Sequence, residues 1–203
     1  RGDQTWLLFA YSASCRHSEE LVPLVEQFAE TLRGFVHVAA VDLGIHSHLA
    51  RQLSIDATPT FRLWSSDGLK LGEEFREKLT LRRLAKWSLS RLTDRVHTLR
   101  QRSDLGPFWD ECSSAKCGCG VLVTNQSSTP PILKVLSSVL FPRVVFAQVL
   151  RVDSPQHEIA ALLGAARTPW LSARREERKQ VQVYDGPPDL HRARRFFEGR
   201  CKR

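Results

Sequence analysis

The feature that most constrains the fold is an order of apolar segments that occurs twice along the chain. A short, almost continuously apolar segment, Thr5–Tyr11, predicts a buried strand, and residues 18–32 then carry apolar side chains at helical spacing. An apolar strand at 120–124 begins the same order again. Both halves predict β-α-β-α-β-β-α, which indicates duplication of a small α/β domain. The other predicted strands are 35–41, 60–64, 69–74, 143–150, 170–173 and 180–184, and the other helices are 46–53, 80–102, 105–113, 129–140, 156–163 and 188–198.

The predicted domain boundary lies near the middle of the chain. With 203 residues, the chain can bury one large core or two small ones. The long basic helix over 80–102 is predicted to connect the two halves, so that the domains cover residues 1–103 and 104–203. Ser66-Asp67-Gly68 predicts a turn between two antiparallel strands of the first domain. The chain begins at Arg1 almost directly on a strand, without a visible signal peptide, which indicates a piece of a longer protein.

Charge and composition exclude several classes of function. The net charge is +8, and no run of 18 apolar residues could span a membrane. The basic runs either contact RNA, an anionic membrane or an acidic partner, or are solvated helix faces; the second is favoured because no aromatic residues are interleaved for base stacking. No phosphate loop, nucleophile elbow or carboxylate pair is present, so we expect neither a cofactor nor nucleic-acid binding. The basic runs are Arg82-Arg83-Lys86, Arg174-Arg175, Arg192-Arg194-Arg195 and Arg200-Lys202-Arg203.

A cysteine stands between the first strand and its helix, in the sequence Cys15-Arg16-His17-Ser18. Helix N-terminal amides and the adjacent Arg16 both favour a thiolate over a thiol. Ser18 occupies the place where a second cysteine would complete a C-x-x-C motif, so a Cys15 thiolate could attack a disulfide but not release itself. His17 either supports the thiolate or faces solvent. Two interpretations remain: Cys15 forms mixed disulfides, or it is an unreactive relic.

The remaining cysteines are Cys112, Cys117, Cys119 and Cys201. An odd count of five leaves one thiol free, and Cys15 is the natural candidate. The other four either form two disulfides in an oxidising compartment or stay reduced. A zinc site would need paired, regularly spaced ligands, so disulfides or free thiols are favoured over a metal. His46 and His48, two residues apart on a short helix, point to different faces and form no metal pair.

The place of Cys15 between a strand and a helix, together with two spacings measured from it, makes the first half resemble a thioredoxin domain. Pro23 follows Cys15 by eight residues, and Thr58-Pro59 places a proline 44 residues after Cys15. The resemblance covers residues 5 to about 95 and lacks the family's first strand and helix. It implies a three-layer α/β/α fold with a central mixed sheet. It also implies a cis Thr58–Pro59 bond beside Cys15, where an extended peptide could pair with the Thr58 backbone.

The second half resembles a thioredoxin-like domain without an active site. Residues 125–128, Asn-Gln-Ser-Ser, stand where the cysteine motif belongs. Thr168-Pro169 occupies the place of the second cis-proline dipeptide and, by the resemblance, of a second binding edge.

The tandem resembles the protein disulfide isomerase superfamily of the endoplasmic reticulum. Cys15-Arg16-His17-Ser18 matches the C-R-x-S site of retention-type isomerase relatives. The Y-S-x-S-C of residues 11–15 and the V-L-x-x-x-Q of residues 121–126 match J-domain co-chaperones. The resemblance implies binding of unfolded or cysteine-containing client proteins in the endoplasmic reticulum lumen. An Hsp70 partner would require a J domain outside this chain, and membrane attachment would likewise lie outside it.

Two departures from the family argue against efficient oxidoreductase catalysis. Phe9 stands where active thioredoxins keep a buried acid, and Ser14 replaces the aromatic residue before the cysteine. The expected function is therefore a client-binding module with a single thiol. The alternatives are a redox-inactive interaction scaffold and a weak thiol–disulfide oxidoreductase.

Overall fold

The computed structural model describes residues 5–65, 72–153, 157–174, 181–199 and 201. The chain divides into two compact units between Leu92 and Thr93. Each unit has a mixed β-sheet with helices on both faces, which confirms the predicted α/β class and the tandem arrangement. The predicted turn at Ser66-Asp67-Gly68 lies outside the described residues.

The first unit follows the predicted order of elements. Its sheet has the strand order β2-β1-β3-β4, with β1 parallel to β2 and antiparallel to β3. Pro23 lies inside the first helix without ending it, because the apolar positions continue past it. The elements are β1 (Thr5–Tyr11), α1 (Arg16–Thr31), β2 (His37–Asp42), α2 (Ser47–Gln52), β3 (Thr60–Ser65), β4 (Glu73–Glu74) and α3 (Leu81–Ser90).

The two faces of the first sheet are covered unequally. On one face α1 and α3 bury a large core around Phe9, Phe28 and Leu84. On the other face the short helix α2 covers a small cluster of buried residues, Ala10, Leu43 and Ile55. Trp6, on β1, remains 41% exposed and stacks on His37 of the edge strand with ring centroids 4.7 Å apart.

The second unit has the same central strands and one further strand and helix before them. Its sheet has the order β5-β7-β6-β8-β9, in which β5 and β6 run parallel to β7. A single 3-10 turn at Arg102–Asp104 leads from the first strand into α4. The elements are β5 (Val96–Thr98), α4 (Leu105–Ser114), β6 (Cys119–Val123), α5 (Pro131–Leu140), β7 (Val145–Val149), α6 (Glu158–Leu163), β8 (Trp170–Arg174), β9 (Val181–Val183) and α7 (Leu190–Glu198).

The strand registers show how the units correspond. Trp6 pairs with His37 on one side and Trp64 on the other, and Cys119 holds the same position in the second sheet. In the second unit, Phe108 of α4 packs in the same core cluster as Cys119. Among the described residues, the first unit has no counterpart of β5 and α4, which explains why Trp6 is exposed.

The predicted helix over 80–102 is wrong beyond its first half. Helix α3 ends at Ser90, and the Asp94 carboxylate then accepts the backbone N–H of Val96 in a local turn. Val96 begins β5, whose backbone pairs with β7 from the second half of the chain. Because this strand belongs to the second sheet, the units divide after Leu92 and not after residue 103.

Four of the five cysteines form disulfides, both in the second unit. Cys112 of α4 is bonded to Cys119 of β6, and Cys117 is bonded to Cys201. Cys15 is the free cysteine that the odd count predicts. Among the described residues, no helix combines the length and apolarity that crossing a bilayer requires.

Candidate functional site

Cys15 stands at the N-terminus of α1, at the end of a short loop after β1. It is the N-cap residue, with an extended backbone, and its carbonyl accepts the N–H groups of Ser18 and Glu19 at 2.9 and 3.2 Å. Its own N–H donates to the carbonyl of Ser12 at 2.9 Å. These backbone bonds hold the thiol, which is half-buried, at the open end of the helix.

The cis-proline segment lies against this thiol, as the resemblance implies. The Thr58–Pro59 peptide bond is cis, and the Sγ of Cys15 lies 4.0 Å from the carbonyl oxygen of Thr58. Thr58 and Pro59 are half-buried and stand directly before β3, which pairs with β1. The site therefore joins a thiol and a stretch of extended backbone, from residues 43 positions apart.

The surroundings lower the pKa of the Cys15 thiol below its ordinary value. The hydroxyl of Ser18 is the largest cause because it donates to the thiolate, followed by the backbone N–H of Ser18. The backbone N–H of His17 and the side-chain hydroxyl of Thr58 add smaller effects in the same direction, while desolvation opposes them. Ser18 is fully buried, so its hydroxyl is held in place beside the sulfur.

Arg16 and His17 occupy the exposed rim of the site. The guanidinium of Arg16, expected to support the thiolate, instead pairs with Glu20 at 3.0 Å on the outer face of α1. Its side chain is 88% exposed. The side chain of His17 is exposed, and this residue acts on the sulfur through its backbone. The thiol is thus polarised by hydrogen bonds, and Arg16 is not among the causes of its lowered pKa.

Sequence analysis missed Asp42, which orders the loop before Cys15. Asp42 ends β2 and is buried, and its carboxylate accepts the N–H of Ala13 at 3.3 Å and of Gly44 at 2.8 Å. A Cβ on Gly44 would meet the Asp42 carboxylate at 3.0 Å and the Ser12 hydroxyl at 3.2 Å. An acidic residue at the end of a buried strand, two residues before a glycine, was the available signal.

Phe9 fills the position of the missing acid with an aromatic ring. It is 2% exposed and stacks between Tyr11 and Phe61, with centroids 5.4 and 5.0 Å away. A ring in this place offers no site for a proton, so Phe9 cannot relay protons to or from Cys15.

The corresponding place in the second unit has no thiol. Residues 125–128 are exposed between β6 and α5, which begins with Pro131. The Thr168–Pro169 bond is cis, as the resemblance implies, and both residues are exposed before β8. A third cis bond, Phe141–Pro142, was not singled out from the sequence.

One protein-family model matches the first unit. Residues 1–88 match the family model described as Thioredoxin. The match ends within α3, so it covers the part of the chain that holds Cys15, Ser18, Thr58 and Pro59.

Several curated proteins are similar to parts of this chain. A Dictyostelium discoideum protein, provisionally named as a protein disulfide-isomerase, is 25% identical over 155 residues, 74% of this chain and 37% of that protein. DnaJ homolog subfamily C member 10 of Xenopus laevis is 27% identical over 126 residues, 62% of this chain and 15% of that protein. Human protein disulfide-isomerase A6 is 31% identical over 67 residues, 33% of this chain and 15% of that protein. The chain thus spans 37% of the length of the Dictyostelium protein and 15% of the length of each of the other two.

Solved structures share the fold across both units. The crystal structure of ERdj5 form II superposes with a TM-score of 0.70 at 19% identity, over 98% of this chain and 27% of that chain. Full-length ERdj5 gives a TM-score of 0.60 at 19% identity, over 98% of this chain and 30% of that chain. Residues 1–88 are therefore similar to the thioredoxin family, and both units share the fold of ERdj5.

Proposed function

We propose that this chain is a client-binding module of a chaperone system, which captures cysteine-containing or unfolded proteins through a single thiol. The observation that carries the proposal is the Cys15 site itself. An unpaired thiol with a lowered pKa lies 4.0 Å from the extended backbone at Thr58, and Ser18 stands where a resolving cysteine would be.

The proposed chemistry is one thiol–disulfide exchange. The Cys15 thiolate attacks one sulfur of a client disulfide, forms a mixed disulfide with it and releases the other client sulfur as a thiolate. The hydroxyl of Ser18 cannot attack the mixed disulfide in turn. The adduct therefore persists until the released client thiolate attacks it in the reverse exchange or an external thiol attacks it, so the site holds a client and does not complete a turnover by itself.

The backbone at Thr58 would orient the client. An extended peptide that pairs with a strand edge gains main-chain hydrogen bonds irrespective of its sequence, which suits unfolded clients. Arg16 on the rim of the site is proposed to contact acidic client residues, since it is almost fully exposed. Thr168-Pro169 is proposed as a second, non-covalent binding edge, because it presents the same cis-proline geometry without a thiol.

The test is to trap the mixed disulfide with a peptide that carries one activated disulfide. We expect the wild-type chain to form a one-to-one adduct that dithiothreitol releases, and Cys15→Ser to form none. Ser18→Cys is the matched gain-of-function variant, because it restores a resolving thiol and should release the peptide within minutes. Adduct formation by Cys15→Ser at the wild-type rate would overturn the proposal, since the other four cysteines are paired.

The proposed compartment is the endoplasmic reticulum lumen. Two disulfides in the second unit favour an oxidising compartment, and relatives are named as disulfide isomerases. We expect maleimide labelling of the full-length protein under denaturing conditions, after rapid alkylation of cells, to count one reduced cysteine in this segment. Five reduced cysteines would place the protein in a reducing compartment instead.

An Hsp70 partner is proposed for the full-length protein only. The support is the relative named as a DnaJ homolog, which matches 62% of this chain. We expect the full-length protein to stimulate the ATPase activity of an Hsp70, and this chain alone to leave that activity at its basal rate. Absence of stimulation by the full-length protein would remove the Hsp70 from the proposal.

A redox-inactive scaffold is the second candidate, favoured by the buried ring of Phe9 in place of the relay acid. The scaffold predicts that partner complexes are the same with wild-type and Cys15→Ser chains. The client-binding proposal predicts that the reductant-sensitive fraction of the complexes disappears.

A further inference from the structure

The second unit contains a cavity away from both the Thr168–Pro169 bond and the disulfides. Its volume is about 390 Å³, within the usual range of small-ligand sites. It lies where the parallel strands β5 and β7 end side by side, and residues that follow each strand form its walls. These residues are Leu99, Arg100, Leu150 and Arg151, together with His157 before α6.

The walls combine apolar surface with positive charge. Leu150, which is half-buried, supplies the accessible apolar part, while Leu99 and Val149 are buried in the core. The guanidinium groups of Arg100 and Arg151 are exposed, and neither forms an ion pair or side-chain hydrogen bond with a residue in the described part of the chain. Unpaired guanidinium groups are the preferred donors to carboxylates because they bind them through two parallel hydrogen bonds.

Backbone hydrogen bonds hold both arginines at the rim. The N–H of Leu99 donates to the carbonyl of Gln148 at 2.9 Å, which places Arg100 directly after a fixed residue. The N–H of Arg151 donates to the carbonyl of Gln126 at 2.9 Å, and Arg151 has a left-handed φ of 57°. A non-glycine residue adopts this conformation only where its surroundings require it, so the fold determines the direction in which the Cα–Cβ bond of Arg151 leaves the backbone.

Polar groups beside the cavity lack partners. The Nδ1 of His157 is buried and has no hydrogen-bond partner in the described structure. The buried amide of Gln148 donates to Thr98, which also lines the cavity, at 3.2 Å, while its Oε1 has no partner among the described residues. A bound carboxylate can accept a hydrogen bond from the Nδ1–H of His157, but it cannot pair with the Oε1 of Gln148, which is itself an acceptor and does not line the cavity.

The carboxylate of Asp104 accepts the backbone N–H groups of Arg100 and Gln101 at 2.7 and 3.1 Å. The positive charge of Arg100 also contributes to lowering the pKa of Asp104, so this carboxylate offsets part of that charge. Arg151 adds a second positive charge, and no carboxylate is among the described residues that line the cavity.

We propose that this cavity is a non-covalent binding site for an acidic side chain that lies next to an apolar one in an extended client peptide. The carboxylate would bind between Arg100 and Arg151, and the apolar neighbour would pack on Leu150. The site deepens the proposed client-binding function, and it rests on that function for the ligand class. It does not involve Cys15.

The test is fluorescence anisotropy of a labelled, cysteine-free peptide with an aspartate between two leucines, measured with the full chain. We expect the matching peptide with asparagine to bind about tenfold more weakly or worse, the usual effect of losing a charge-assisted hydrogen bond. Arg100→Gln and Arg151→Gln should each weaken binding of the aspartate peptide about tenfold. Arg102→Gln is the matched control, since it removes the same charge from an exposed residue nearby that does not line the cavity.

The outcomes separate this site from the Cys15 site. Equal binding of the aspartate and asparagine peptides, or an equal loss in Arg102→Gln, would overturn the proposal, because either result indicates attraction by net charge alone. Leu150→Ser, at a half-buried position, is a second variant that keeps the charge and should weaken binding of the leucine-containing peptide but not of a peptide with aspartate between two glycines. Cys15→Ser should leave all these affinities unchanged, so failure of the covalent proposal and failure of this one are distinguishable.

Discussion

The two disulfides of the second unit differ mainly in the length of chain that each one closes. Cys117 and Cys201 are 84 positions apart, whereas Cys112 and Cys119 are 7 apart. In the chain-entropy description, a cross-link stabilises the folded state by restricting the unfolded chain, and more so for a longer loop. The loop lengths correspond to about 4.5 kcal/mol for Cys117–Cys201 and about 2.4 kcal/mol for Cys112–Cys119. We therefore expect the long-range disulfide to contribute about 2 kcal/mol more to the free energy of unfolding.

The assay compares the double variants Cys117→Ala/Cys201→Ala and Cys112→Ala/Cys119→Ala by urea unfolding. Both remove one disulfide by the same pair of substitutions, so each is the control for the other; Cys112, Cys117 and Cys119 are buried, and Cys201 is half-buried. Native-state hydrogen exchange of amides in β6 and β7 reports the opening free energy of the second unit and separates it from the first. If the variant without the short-loop disulfide loses as much stability as the other, the entropic reasoning is refuted.

Three further predictions concern the first unit. Ser18→Ala should raise the pKa of Cys15 towards its ordinary value, so that alkylation by iodoacetamide requires a higher pH because less thiolate is present at neutral pH. Arg62→Met should lower the free energy of unfolding by about 2–3 kcal/mol, because the buried guanidinium donates to the carbonyls of Leu53 and Ser54. Trp6→Phe should remove most of the tryptophan fluorescence that iodide quenches, since Trp6 is 41% exposed.

Each of these predictions has a matched control. His17→Ala removes an exposed ring but keeps the backbone N–H, so it should leave the alkylation profile unchanged; a shift equal to that of Ser18→Ala contradicts the assignment. Arg76→Gln, which breaks an exposed pair with Glu74, should cost less than about 1 kcal/mol. A larger cost than that of Arg62→Met contradicts the role of burial. Trp87→Phe, at a position 5% exposed, should leave the amount of fluorescence that iodide quenches unchanged. A loss of the quenched fluorescence in this variant contradicts the exposure of Trp6.

Local patterns in the sequence were sufficient for the frame of the candidate site. The apolar run of Thr5–Tyr11 and the helical spacing that follows it predicted β1 and α1, and the spacings of Cys15, Pro23 and Pro59 predicted the contact between thiol and cis-proline segment. These features are readable because strands and helices have fixed periods, and because the resemblance to thioredoxin rests on positions within one short domain.

The polarity of the site was harder to predict. The sequence placed Arg16 next to the thiol, yet its side chain pairs with Glu20, one helical turn along. Conversely, Asp42 reaches the loop before Cys15 only because β2 lies beside β1. Adjacency in sequence does not determine which side chains meet, since successive residues of a helix point in different directions.

Sequence by itself determined the repeated α/β order, the single thiol without a resolving cysteine, and the absence of an acid at Phe9. Tertiary structure alone decided the strand at Val96–Thr98, because its residues are stabilised by β7, far along the chain, and not by their own periodicity. It also decided which of three possible pairings the four remaining cysteines adopt. In both cases the deciding contacts join distant segments, and such contacts leave no trace in a local pattern of residues.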